Sequence, residues 1–94
     1  MEKIEKIVRG VKLVIVERTN DEALDEFGFG PADMLDGAVT DLCVEYCESE
    51  MSACGMGDGT YRIFTSGRGF YKDTYTRDEA ISFLVEQEIV CRGI

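Results

Sequence analysis

The chain has 94 residues, enough for one domain around one core, and its 45% apolar and 10% aromatic content excludes intrinsic disorder despite a net charge of −9. The longest strongly apolar run, Leu13 to Val16, is too short for a membrane span or a signal-peptide core. A single domain over residues 1–94, cytoplasmic or acting in the cytoplasm of a host cell, is expected.

The charge is segregated along the chain. Residues 1–18 carry five bases against three acids, and residues 59–94 carry five of each. Residues 19–58 contain eleven acids and no lysine or arginine. A block of one sign makes a field that steers a partner of the opposite sign.

In chain order, residues 2–9 fit either a short helix or an extension of the following strand past a bulge at Gly10. Residues 11–17 are β-branched and apolar on both faces, which predicts a central strand. Thr19 or Asn20 caps a short helix through Asp21–Phe27, with Asp21 and Glu22 at the positive end of its dipole. Gly28 and Gly30 break it, and Pro31 is suited to open a second helix.

That second helix is expected to be the spine of the fold, over Asp33–Met51. Met34, Leu35, Ala38, Val39, Leu42, Cys43 and Tyr46 recur every three or four positions, as one buried helical face requires. Asp33, Asp36, Asp41, Glu45 and Glu48 then line the opposite face. The glycines at 55, 57 and 59 predict a loop over residues 52–60.

Residues 60–66 and 70–75 are aromatic and β-branched, and Gly67-Arg68-Gly69 between them signals a hairpin. One side of this hairpin, either Tyr61/Ile63 or Arg62/Phe64, is expected to face solvent. Thr76-Arg77-Asp78-Glu79 has the form of a capping box. The helix it starts presents Ala80, Ile81, Leu84, Val85 and Glu88 inward, with Arg77 facing solvent and residues 89–91 docking as an edge strand. The whole reads as an α+β domain. A small antiparallel sheet, made of the N-terminal strand and the C-terminal hairpin, is packed on one face by the long central helix and the C-terminal helix.

No catalytic constellation emerges. There is no histidine, and Cys43, Cys47, Cys54 and Cys91 lack the paired spacing of a zinc site, so they read as apolar structural thiols. Gly55-Met56-Gly57-Asp58-Gly59 lacks the lysine and the strand-to-helix context of a phosphate loop. The acids do not follow a calcium-loop pattern. No metal and no cofactor are expected.

What remains is the acidic face. Carboxylates one helical turn apart repeat at about 5–6 Å, close to the phosphate spacing of a nucleic-acid strand. Asp33, Asp36, Asp41, Glu45 and Glu48 are therefore candidate partner-binding residues for a basic groove, and direct nucleic-acid binding is disfavoured. In its size, its acidic block from Asp21 to Asp58 and its hairpin followed by a capped helix over Tyr61–Leu84, the chain resembles the small phage-borne inhibitors called anti-CRISPR proteins. The resemblance implies a non-enzymatic inhibitor that occupies a nucleic-acid-binding surface of a partner protein. The competing expectations are a homodimeric regulatory module associating through the hairpin face, and a small enzyme with an unrecognised carboxylate or cysteine site.

Overall fold

The computed structural model describes the backbone of residues 1–65 and 69–94 and the side chains of residues 1–65 and 74–94. The elements are β1 (Glu2–Val8), β2 (Val11–Thr19), α1 (Asn20–Phe27), α2 (Pro31–Met34), β3 (Thr40–Val44), β4 (Met51–Gly55), β5 (Tyr61–Thr65), β6 (Gly69–Tyr75) and α3 (Arg77–Arg92). The six strands form one antiparallel sheet in the order β1-β2-β3-β4-β5-β6, so every strand pairs with its neighbour in the chain. The α+β class, the strand over residues 11–17, the C-terminal hairpin pairing and the C-terminal helix packed on the sheet are as the sequence predicts. The Gly67-Arg68 connection of that hairpin lies outside the described residues.

Residues 2–8 are a strand, and Arg9-Gly10 is a two-residue turn with φ of +51° and +79° at the two positions. Both angles are positive, the turn whose twist matches that of the strands it joins. Gly10 therefore turns the chain instead of bulging a strand.

The largest correction concerns Asp33–Met51. The expected spine helix is a single turn at Pro31–Met34, then β3, then the start of β4. Left-handed backbone at Gly37, Tyr46 and Glu50 interrupts any continuous helix through the segment. Between those interruptions Thr40-Asp41-Leu42-Cys43-Val44 alternates, with Leu42 and Val44 buried in the core. Leu42 and Tyr46 fit a helical repeat while Leu42 and Val44 fit a strand, and pairing with β2 and β4 on either side selects the strand.

The predicted loop over residues 52–60 is also partly strand. β4 runs to Gly55, where a Cβ would collide with the Thr40 hydroxyl and the Tyr61 ring. Glycine is there to let three strands close up, not to break the chain.

The core lies between α3 and one face of the sheet. Leu13 and Ile15, Leu42 and Val44, Met51 and Ala53, and Tyr61 and Ile63 come from β2, β3, β4 and β5 in turn. They meet Ala80, Ile81, Leu84, Val85 and Ile89 of α3. Tyr61/Ile63 is thus the covered side of the hairpin, and Arg62/Phe64 is half-buried on the other side.

Thr76 caps α3, accepting from the Glu79 N–H at 3.3 Å, while Glu79 accepts the Thr76 N–H at 2.9 Å. Thr19 and Glu22 build the same reciprocal cap on α1. Two further expectations are corrected here. α3 continues to Arg92, so residues 89–91 are helical, and Ile89 belongs to the core face. Arg77 is paired with Glu17 at 3.4 Å and Glu2 at 3.1 Å, which draws it against the sheet instead of into solvent.

Glu88 is fully buried, and its carboxylate accepts the N–H groups of Glu48 and Ser49 and pairs with Arg92 at 2.6 Å. Burial alone would raise its pKa. The backbone donors and Arg92 more than offset that and hold it below the usual carboxylate range. Glu88 therefore fixes the turn between β3 and β4 to α3.

Candidate functional site

The reverse face of the sheet, away from α3, carries two rows of side chains across the strands. One is Val16, Cys43, Ser52 and Phe64; the other is Arg18, Asp41, Cys54 and Arg62. α1 and α2, inserted between β2 and β3, cover part of this face. Asn20 ties them together: its side-chain oxygen accepts the Ala32 N–H at 3.1 Å, and its own N–H donates to the Val39 carbonyl at 3.0 Å.

The structure does not bring the five predicted carboxylates onto one surface. Asp33 and Asp36 are exposed on α2 and the turn after it, and Asp33 also accepts the Gly30 N–H at 2.9 Å. Glu45 is half-buried, 4.0 Å from Lys3, and Glu48 is exposed beside the turn held by Glu88. Asp41 alone points away from bulk solvent, on the reverse face of β3. The single acidic helix face is thus replaced by an acidic lobe. Its exposed carboxylates are Asp21, Asp25 and Glu26 of α1, the last paired with Arg18, together with Asp33 and Asp36.

The same lobe exposes Leu24, Phe27, Phe29 and Val39, with Phe27 47% and Phe29 54% accessible. The Phe27 and Phe29 rings lie 6.0 Å apart. With Met34 they form one side of a half-open cleft of about 290 Å³. The sheet side of the cleft is Asp41, Cys43 and Ser52, and Glu50 and Cys47 stand at its edge. Among the described residues no basic side chain lines it.

The cleft chemistry follows from burial. Asp41 Oδ1 is buried and accepts no hydrogen bond, and burial, only partly countered by Arg18, pushes the Asp41 carboxyl up to about 6. Arg18 itself is occupied: it pairs with Glu26 through two nitrogens at 2.6 and 3.2 Å, reaches Cys43 Sγ at 3.7 Å, and lies 5.0 Å from the Phe27 ring centre.

Burial, with Asp41 adding to it, also pushes the thiols of Cys43 to about 11 and Cys54 to about 12. Both stay protonated at neutral pH, and a protonated thiol is a poor nucleophile. All four cysteines are free. Among the described residues no group of three or more potential ligands could hold a metal ion, and no helix is long and apolar enough to cross a membrane.

Sequence reading missed Phe27, Phe29 and Met34 as site residues. The available signal was Phe27-Gly28-Phe29-Gly30, two aromatics in a glycine turn directly after an acidic helix, where solvent-facing turns rarely spend large apolar side chains.

Fold and site together define a class: a small antiparallel α+β domain with an acidic, aromatic-bearing lobe. No protein-family model, curated protein or solved structure matches the chain.

Proposed function

We propose that this chain is a non-enzymatic binding protein of the inhibitor type, acting in the cytoplasm, whose acidic lobe occupies a basic, nucleic-acid-binding surface of a partner protein. The observation that carries this reading is the coincidence of charge and apolar exposure on α1, α2 and the turn after them. Exposed Asp21, Asp25, Asp33 and Asp36 share these elements with exposed Leu24, Phe27, Phe29 and Val39, and no lysine or arginine lies anywhere in residues 19–58. A solvated helix normally mixes signs to gain i,i+4 pairs. Exposed phenylalanines beside carboxylates supply what a protein interface uses, with rings as anchors and charges that set the approach.

The test is capture from a lysate of the organism that encodes the chain, with wild type and an Asp21→Lys/Asp25→Lys variant as baits. The reading expects partners that are retained at low salt, released as salt rises and competed off by duplex DNA, and a variant that loses them. Equal capture by both baits, or capture indifferent to salt and DNA, overturns it. Both positions are exposed, but Asp21 lies in the first turn of α1, where a lysine opposes the helix dipole, so a thermal melt of the variant and the single Asp25→Lys change serve as controls on folding.

A further inference from the structure

Resting on that reading, we propose that the cleft between Phe27, Phe29 and Met34 on one side and Asp41, Cys43 and Ser52 on the other receives one arginine side chain of the partner. Three independent features define the occupant. Size comes first: about 290 Å³ is at or below the lower end of ligand clefts, roughly 300–1,000 Å³, which suits one long side chain better than a nucleotide or a folded segment.

Charge comes second. The described lining includes two carboxylates, Asp41 and Glu50, and no base, while Oδ1 of Asp41 lacks a donor. A buried acceptor without a donor is costly, and rotation of the Asp41 carboxyl toward a cationic donor in the cleft relieves that cost. Shape comes third. Two phenylalanine rings at the mouth suit a planar cation, which stacks on aromatic faces as an ammonium does not. The protein already builds this pairing next door, where the Arg18 guanidinium sits over Phe27 and is gripped by Glu26.

Among the described residues the charged and titratable groups around Asp41 are Arg18 on β2, Cys43 on its own strand, Cys54 on β4 with Arg62 beyond it on β5, and Cys47 and Glu50 at the cleft edge. Arg18 is already paired and the thiols remain protonated, so Asp41 is the group whose charge changes near neutrality. A bound cation favours its ionised form. Binding at pH 5 therefore requires loss of a proton that has already left at pH 7, which weakens it about tenfold.

The experiment uses the full chain and two small probes, Nα-acetyl-arginine amide and its neutral isostere Nα-acetyl-citrulline amide, followed by amide chemical shifts. The arginine probe is expected to shift Phe29, Asp41, Cys43 and Ser52 saturably, to bind about tenfold more weakly at pH 5 than at pH 7, and to bind at least tenfold more weakly to Asp41→Asn. Phe29→Ala, on an exposed position, should weaken it as well, which keeps the test decisive if the Asp41 variant misfolds. Equal response to citrulline, or an unchanged response in Asp41→Asn and Phe29→Ala, overturns the proposal. Neither result touches the outer-lobe reading, which the Asp21/Asp25 charge reversal decides on its own.

Discussion

Asp41 shows how one side chain can oppose the fold that holds it. Its carboxyl is raised from an unfolded value near 4 to about 6. The native state therefore binds the extra proton between those values, and stability falls as pH rises through that window. A rise of that size sets a ceiling of about 3 kcal/mol on the cost at neutrality. Asp41→Asn, which carries no charge to bury, should therefore be about 1–3 kcal/mol more stable than wild type at pH 7.5 and no more stable below pH 4. Denaturant melts across that range check it, and a gain that does not grow with pH would place the carboxylate in a more solvated setting. Glu88 runs the other way. Its lowered pKa contributes stability that is present above about 4.3 and lost as pH falls through the lower folded value.

At the scale of elements, what was legible is what the chain decides locally. The caps at Thr19 and Thr76 rest on residues three apart, and β2 announces itself by the β-branched run Val14-Ile15-Val16. The segment 33–51 could not be read that way, because pairing with β2 and β4 decides it against its own helical periodicity, and Gly55 reads as a breaker until Tyr61 and Thr40 are seen against it. The acidic block was visible as composition. The cleft was not, because it depends on the register that sets Asp41 between Arg18 and Cys54 and on the turn that brings Phe29 over them. For α3 the local signal is strong enough to test: Thr76→Ala should cost about 0.5–2 kcal/mol, as loss of an N-cap does. Arg77→Ala should cost less than that but more than a free surface residue, since it removes both the Glu17 and Glu2 pairings. Thermal melts of the two variants, with Glu86→Ala in the middle of the exposed face as the reference, separate these effects.

For the molecule as a whole, the sheet divides two jobs. α3 and its face of the sheet hold most of the apolar core, while α1, α2 and the reverse face hold the acids, the exposed rings and the cleft. Charge can therefore accumulate on the lobe without entering the core. Each surface can change with little effect on the other, as distant sites without shared partners normally do.

The order of the strands has a kinetic consequence. Because each strand pairs with the next one in sequence, the sheet closes mostly through short connections, the insert carrying α1 and α2 between β2 and β3 excepted, and much of the entropy of joining distant segments is avoided. Refolding on dilution from denaturant should be a single phase on the order of milliseconds, as for mixed domains of modest contact order. The carboxylate of Glu88, which reaches back across 40 residues to the Glu48 N–H, is, with the Arg77 pairings to Glu17 and Glu2, among the long-range contacts of the last helix and should form late. Glu88→Gln is then expected to speed unfolding while leaving the folding limb of the chevron almost unmoved. A slowed folding limb would instead put the docking of the last helix at the start of the pathway.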